Sequence, residues 1–394
     1  METTKDLLLP ELHFLGTAYS TTTLGKITYF ANGKGYEHEQ RSSGKYELIN
    51  LNSVSIDGGL KSSGKFINNS EQTLLKNDLV MVLSDLAYGN FLGKVAIIPE
   101  DNKYVLNQRV ALLRVINENI DPYYLFTYIN AKQKYFKSMG AGTSQLNLGK
   151  DAVLNFPVSY PDFAEQRKIG NLFREVDTKI ALLEQAWQTG QELKSSLIYK
   201  LLAVQANGQP QLRFTGFSQP WVKEQVKNVF DEITRGQVLA VSKMSSVATP
   251  EYQYPVYSSQ TLNNGVIGYY KQYLFENAIT WTTDGYAGRV TYRPGKFYST
   301  NVNGVLISHR GLANKVIAEA LNRVAHKYVA KGGIPKLMNN VMAIVEFEYP
   351  VEGEEQAKLS TFFTELDQLI DSYHRQLELY KKLKAALVQK VIVP

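Results

Sequence analysis

EQRKIGNLFREVDTKIALLEQAWQTGQELKSSLIYK, from Glu165 to Lys200, returns 190 residues later as EQAKLSTFFTELDQLIDSYHRQLELYKKLKAALVQK, from Glu355 to Lys390. Eleven of the 36 aligned positions are identical: Glu165, Gln166, Lys168, Phe173, Glu175, Asp177, Ile180, Leu193, Lys194, Leu197 and Lys200. Each copy also carries a heptad. Ile169, Val176, Leu183, Gly190 and Leu197 form one series, with Phe173, Ile180, Trp187 and Leu201 interleaved. The second copy has Leu359, Leu366, Tyr373, Tyr380 and Leu387, with Phe363, Ile370, Leu377 and Val391. A 3-4 spacing held this long predicts a packed helical seam on helices of about 38 residues, roughly 57 Å each. Both seams break at the same place, Lys194 and Lys384, and Leu193 and Leu383 are expected to carry the seam past the lysines. Asp162 is placed to cap the first helix, with Glu165 three residues on to reach back.

Outward from these helices the repetition continues. Pro10-Glu-Leu12-His-Phe14-Leu-Gly16 returns as Pro210-Gln-Leu212-Arg-Phe214-Thr-Gly216. The chain is a tandem duplication of one unit near 195 residues, far longer than a solenoid repeat. Neither long helix could stay single with such an apolar stripe, so the two are expected to pair with each other. Antiparallel pairing would relate the halves by a pseudo-twofold axis and put a globular region at each end of a rod. The alternative is that each helix folds back on its own globular region.

Those regions, residues 17–156 and 217–346, alternate short apolar runs with Gly, Asn and Ser. Tyr46–Leu51, Leu79–Leu83, Gly93–Ile98 and Val110–Val115 read as strands, as do Tyr254–Tyr257, Ala278–Trp281, Gly288–Tyr292 and Gly304–Ser308. Asp121-Pro122 opens a helix to about Lys137, with Asp as cap and Pro in the first position, and Leu312 to Tyr328 is its counterpart. The repeat persists weakly here: Gly93 with Gly288, Pro99 with Pro294, Tyr104 with Tyr298, Asn107 with Asn301, and Leu146 with Leu337. A shared framework with divergent loops fits two recognition domains with different targets, and equally fits drift after duplication. The fold class is α+β, with strand-rich domains separated by two long antiparallel helices in a coiled coil. Its segments are 1–16, a strand-rich domain at 17–156, a long helix within 157–205, a second domain with its lead-in at 206–346, and a second long helix within 347–394.

Composition narrows the function classes. A net charge of +6 and a pI near 9.0 permit a nucleic-acid or acidic partner without requiring one. With no cysteine, disulfides and thiolate zinc sites are excluded, and five scattered His argue against a metal centre. Met1-Glu-Thr-Thr-Lys-Asp precedes only Leu7 to Leu9, which is no signal peptide, and no apolar run approaches a membrane span; the chain reads as cytoplasmic. Gly59-Leu-Lys-Ser-Ser-Gly64-Lys65 has phosphate-loop spacing, but Phe66 stands where Ser or Thr would hold magnesium, so a polar hairpin loop is the better reading. Asp121-Pro122-Tyr123-Tyr124 is close to the tetrapeptide of amino-group DNA methylases but lacks its second proline, and a helix start explains it. Pro161-Asp162 with Glu165 has Arg167 where a nuclease would need lysine. The chain reads as a binder rather than a catalyst.

Taken in order, these residues resemble the specificity subunits of type I restriction–modification systems over essentially the whole chain. The similarity rests on Gly142-Thr-Ser-Gln145-Leu146-Asn147-Leu148, Phe156-Pro157, Pro161, Glu165-Gln166-Arg-Lys168-Ile169, Asp177 and Leu193-Lys194. Its second copy is Gly333-Ile-Pro-Lys336-Leu337, Glu355-Gln356, Asp367 and Leu383-Lys384, and Leu212-Arg-Phe214-Thr-Gly216-Phe217 with Trp221 is also typical. The first copy lacks a tryptophan like Trp221 before Leu24-Gly25-Lys26. The resemblance implies one target-recognition domain per half of a bipartite duplex DNA site, with the paired helices fixing their separation and binding two modification (methyltransferase) subunits. Those partners would carry adenine-N6 methylation with S-adenosylmethionine, and ATP-driven restriction subunits would join; S-adenosylmethionine, ATP and Mg are expected only in partners, with no cofactor and no catalytic group in this chain. The competing reading is a non-catalytic coiled-coil scaffold whose domains bind proteins.

Base readout uses Arg or Lys toward guanine and Asn or Gln toward adenine. The candidate DNA contacts are Lys34, Tyr36, Asn50, Asn52, Tyr88, Asn90, Lys94 and Gln145 in the first domain. In the second they are Arg235, Gln237, Ser258, Ser259, Gln260, Asp284, Tyr286, Arg289 and Lys336, with Lys94, Arg289 and Lys336 favoured for phosphates. The helix-pairing seam is assigned to Ile169, Phe173, Val176, Ile180, Leu183, Leu359, Phe363, Leu366, Ile370 and Tyr373. Glu165, Gln166, Arg167, Glu355 and Gln356 are read as outward groups, solvated or facing the modification subunits.

Overall fold

Asp162 accepts from Glu165 N at 2.8 Å, and from there the first long helix runs Phe163–Leu202, 40 residues. The second runs Gly353–Val391, 39 residues. The computed structural model describes residues 12–14, 16, 18–70, 72–86, 88–260 and 262–392. The Met1–Leu9 opening, Pro10 of the repeated motif and the domain boundary at Thr17 lie outside them. The chain divides into Met1–Leu183 with Arg375–Pro394, and Glu184–His374, so each long helix contributes to both units. The helices start later than 157 and 347, because Pro157–Tyr160 and Glu346–Tyr349 are strands first, paired with Ser20–Thr23 and Val222–Gln225.

In the first unit a four-stranded sheet takes the order Thr28–Asn32, Val110–Val115, Leu79–Val82, Val95–Ile97, and a three-stranded one the order Phe66–Ile67, Tyr46–Ile49, Tyr104–Leu106. In the second, one six-stranded sheet has the order Glu232–Arg235, Asn303–Ile307, Phe275–Thr282, Val290–Ser299, Tyr254–Tyr257, Val266–Tyr270. The two plans are one plan. The ten-residue strand Val290–Ser299 corresponds to Val95–Ile97 plus Tyr104–Leu106, and the turn between those, with Asn102 at φ +58, splits one sheet into two.

Each unit packs a helix on its sheet. Pro122–Ala131 is capped by Asp121, which accepts from Tyr123 N and Tyr124 N at 3.0 and 2.8 Å. A second short helix, Gln133–Met139, follows it, so the expected single helix to Lys137 is two. Lys315–Ala325 is capped by Asn314. In the first unit Leu125, Ile129, Phe136 and Phe156 are buried with Ile169 and Phe173 of the first long helix, Val391 of the second, and Ile392 just beyond its end. In the second unit Trp281, Ile317, Leu321 and Phe347 are buried with Leu359 and Phe363 and with Leu201 and Leu202. The start of each long helix therefore belongs to a domain core as well as to the helix pairing.

Helix pairing is antiparallel within each unit. In the second, Trp187 stacks on His374 at 4.9 Å, a Cβ on Gly190 would lie 3.0 Å from Ile370 Cγ1, and Lys194 meets Asp367 at 2.6 Å. In the first, Asp177 meets Lys384 at 2.6 Å, while Ile169 and Phe173 share a core with Val391. Val176, Leu183 and Ile370 are buried, and Ile180, Leu366 and Tyr373 are half-buried. The lysines that break the heptads are thus ion-paired within the pairing. Leu193 and Leu383 do not carry the seam: they are 51% and 44% exposed, since the paired lysine occupies the inward position and turns its neighbour out.

Glu165, Gln166, Glu355 and Gln356 are also corrected, because all four are buried. Gln166 donates to Asn119 O and Pro161 O at 3.0 and 2.9 Å and accepts from Asp121 N at 3.0 Å. Gln356 donates to Pro350 O at 2.8 Å and accepts from Asn314 Nδ2 at 2.9 Å. Each glutamine satisfies backbone and cap groups that a helix start and a loop leave unpaired. Each glutamate holds the repeated motif: Glu165 accepts from Phe14 N at 2.6 Å, and Glu355 takes Arg213 through two bonds of 2.8 Å. The motif also docks on a helix end, Leu12 N donating to Lys390 O at 3.0 Å and Leu212 N to Lys200 O at 2.9 Å. Arg167 is exposed as expected.

Candidate nucleic-acid interface

Three loops recur in both units and are matched by their backbone bonds. Gly93 N donates to Val82 O, and Gly288 N to Thr282 O, closing the first loop. Ala141 and Asn147 exchange backbone bonds, as do Ala330 and Lys336, closing the second. Leu83 N donates to Arg109 O, and Thr283 N to Val302 O, which brings in a two-residue turn, Gln108–Arg109 or Asn301–Val302. Close approach is required beside that turn: a Cβ on Gly33 would lie 1.8 Å from Asn107 O, and one on Gly236 2.0 Å from Ser299 O.

The pattern revises the alignment of the second loop. Leu148 N donates to Leu83 O and Leu337 N to Thr283 O, each at 2.8–2.9 Å, and both leucines are buried. Leu337 therefore corresponds to Leu148, not Leu146, and Lys336 to Asn147, not Gln145. Sequence identity was too sparse here to place the gap; backbone pairing is not.

In the first unit the loops enclose a cleft of about 250 Å³ lined by Asn52, Lys61, Ser84, Asp85, Arg109 and Gln145 over an apolar floor of Val54, Val82 and Phe91. Asn52 and Gln145, both expected from the sequence, meet here although 93 positions separate them. Gln145 Nε2 donates to Ser84 Oγ at 2.8 Å and to Asn147 Oδ1 at 3.2 Å, and among the described residues no donor meets its carboxamide oxygen. Ser84 Oγ also donates to Asn147 Oδ1. Asp85 accepts from Leu86 N and Phe91 N at 2.8 and 2.7 Å, which shapes the loop carrying Tyr88. Tyr88 is 85% exposed, a large apolar ring held in solvent at a loop tip, which marks a contact surface. Lys61, Asp85 and Arg109 line the cleft without having been singled out from the sequence, because nothing local distinguishes them from solvated loop residues; Asn147 stands behind Ser84 and Gln145 through their hydrogen bonds.

The other first-unit candidates scatter. Lys34 and Tyr36 line a separate cleft of about 680 Å³ with Lys45, Asn68 and Gln72. Asn50 caps the turn Leu51–Ser53 through Asn52 N, an architectural duty. Asn90 Oδ1 accepts from Lys137 at 3.3 Å. Lys94 is half-buried; burial pulls its ammonium below the usual lysine range and Asp57 offsets part of that. That burial makes it a weaker phosphate candidate than the exposed Arg289, its counterpart through the bonds Val82 N to Lys94 O and Thr282 N to Arg289 O.

In the second unit, Asp284 and Lys336 pair at 4.0 Å across the first and second loops, and Tyr286, 70% exposed, stands between them and Gly288. Arg235 is engaged with Asn339 Oδ1 at 3.0 Å. Gln237 is exposed beside it, its backbone held by Ser299 O. Ser258, Ser259 and Gln260 lie on the loop after Tyr254–Tyr257, where Gln260 Nε2 donates to Val266 O at 2.8 Å. Arg293, only 6% exposed, supports this loop: its guanidinium sits 3.9 Å over the Tyr257 ring and donates to Asn264 O at 2.8 Å. Gly59–Lys65 is a loop around Glu47, which accepts from Ser62 and Ser63 N at 2.5 and 2.7 Å, and a strand rather than a helix follows.

The framework-with-variable-loops arrangement has counterparts. The family described as "Type I restriction modification DNA specificity domain" matches residues 19–189 and again 220–380. The chain belongs to that family. A putative type I specificity subunit of Mycoplasma pneumoniae is 36% identical over 173 residues, 42% of this chain and 71% of the relative. The N-terminal part of another from that organism is 41% identical over 140 residues, 34% of this chain and 72% of the relative. The solved S subunit of a type I restriction–modification system from M. genitalium matches 98% of this chain and 99% of its own with a TM-score of 0.76 at 15% identity, a likeness of fold. This specificity subunit thus carries two specificity domains with a long helix between them. Among its described residues no helix is long and apolar enough to cross a membrane.

Proposed function

We propose that this specificity subunit reads a bipartite DNA sequence, one half-site per domain, and docks two methyltransferase subunits and the restriction subunits, itself contributing no catalytic group. S-adenosylmethionine, ATP and Mg belong on this reading to the partners, and the complex works in the cytoplasm. One observation carries the proposal: the same three loops are built twice by the same backbone bonds, with different side chains. Ser84, Arg109 and Asn147 stand in one unit where Asp284, Val302 and Lys336 stand in the other. Conserved scaffolding under exchanged polar groups is what two readers of different short sequences need, since base edges are told apart by donor and acceptor pattern.

Each half-site contributes about 1–3 kcal/mol of discrimination per base pair, and linking two readers combines both with a test of spacing. Exchanging residues 17–156 for those of another specificity subunit, in complex with the modification subunits, should change one half of the methylated sequence and leave the other. Alteration of both halves, or of neither, refutes the reading.

A further inference from the structure

At the two-residue turn shared by the domains, one has Arg109 and the other Val302. The equivalence is fixed on both sides, by Leu83 N to Arg109 O and Thr283 N to Val302 O, and by Gly33 N to Val110 O and Gly236 N to Asn303 O. Arg109 is exposed on the rim of the 250 Å³ cleft beside Asn52 and Gln145. Its neighbour Asp85 is turned to the backbone N–H groups of Leu86 and Phe91, and among the described residues no hydrogen bond or ion pair engages the guanidinium. Its φ of +66 is a conformation that side-chain-bearing residues avoid, while Val302 has no such φ.

We infer that Arg109 is a specificity determinant that reads guanine in the half-site of the first domain, a contact the second domain, with Val302 at the same turn, does not make. This rests on the bipartite DNA reading proposed above. Guanine presents N7 and O6 as two adjacent acceptors in the major groove, which match the parallel N–H groups of a guanidinium; valine has no such donors. The Gln145 carboxamide oxygen, left free by the two bonds of its NH2 group, supplies an acceptor beside Arg109 for the amino group of a neighbouring adenine or cytosine.

The test uses the full complex with modification subunits and sequencing of the sites it methylates. Arg109→Gly is the informative variant, because glycine takes φ +66 without strain and the turn is kept. Discrimination in favour of guanine at one position should fall about tenfold to a hundredfold, with the other half-site unchanged. Arg109→Lys, still cationic but without the fork, should keep the guanine with weaker discrimination, and it decides the matter if the glycine variant methylates nothing. The inference is overturned if the half-site of the first domain contains no guanine, or if either variant that methylates leaves the motif and its discrimination unchanged. A uniform fall on all sequences also overturns it, since that marks a phosphate contact. An unchanged motif in Arg109→Gly while exchange of residues 17–156 still alters one half-site sinks this inference alone; exchange that alters both or neither sinks the bipartite reading beneath it.

Discussion

Arg293, buried, and Asp367, half-buried, show what single charges do in this chain. Burial pulls the Arg293 guanidinium down to about 10, with the Tyr257 hydroxyl pushing the other way, so it stays charged at neutral pH. It holds the loop on which Asn263 and Asn264 adopt φ of +49 and +52. Arg293→Met keeps the bulk and removes the bonds to Thr280 Oγ1 and Asn264 O; thermal unfolding should show a loss of about 1.5–3 kcal/mol, the scale of charged hydrogen bonds. For Asp367, burial raises the carboxyl but Lys194 and Lys315 outweigh it, holding it below the usual carboxylate range. A depressed folded pKa means the contribution is complete at neutral pH and disappears as pH falls through that range. Asp367→Asn should therefore lower Tm at pH 7 and flatten its acid-side decline; an acid limb as steep as in the parent chain would show that this carboxylate is not responsible.

At the scale of elements, the long helices were legible from periodicity alone, because a heptad is a local pattern that survives without knowledge of the partner. The caps at Asp121 and Asp162 were legible for the same reason. The splitting of one sheet by the Asn102 turn was not, since it depends on strand pairing between distant segments. Gly190 was visible as a gap in the heptad, but only the helix pairing shows Ile370 filling it. Gly190→Leu should cost about 1–3 kcal/mol by overpacking, read by denaturant unfolding. One heptad inserted in each long helix adds about 10 Å. If the helices set the distance between half-sites, the methylated spacer should lengthen by about three base pairs, at 3.4 Å each; an unchanged spacer would remove the ruler from the proposal.

For the whole molecule, the charge of +6 is modest, so affinity for duplex DNA should come from phosphate contacts gathered on the loop faces rather than from net charge. Binding of the complex to random duplex is expected to weaken steeply between about 50 and 200 mM salt, following the release of counterions. A protein-binding scaffold would show little binding at either salt, which makes the titration a direct discriminator.

By itself the amino-acid sequence determined the duplication, the two long helices, the caps at Asp121 and Asp162 and the central apolar strands, because each is written in contiguous residues with a period or a terminal signal. Tertiary structure alone decided the rest. It buried Glu165, Gln166, Glu355 and Gln356, which read as surface groups, by giving them partners beyond the helix: backbone groups for Glu165, Gln166 and Gln356, and the Arg213 guanidinium for Glu355. It turned the heptad-breaking lysines into ion pairs with Asp177 and Asp367, and it gathered Asn52, Arg109 and Gln145 around one cleft. These are long-range pairings, and a side chain's hydrogen-bonding partners follow from where the backbone folds back rather than from its neighbours in the chain.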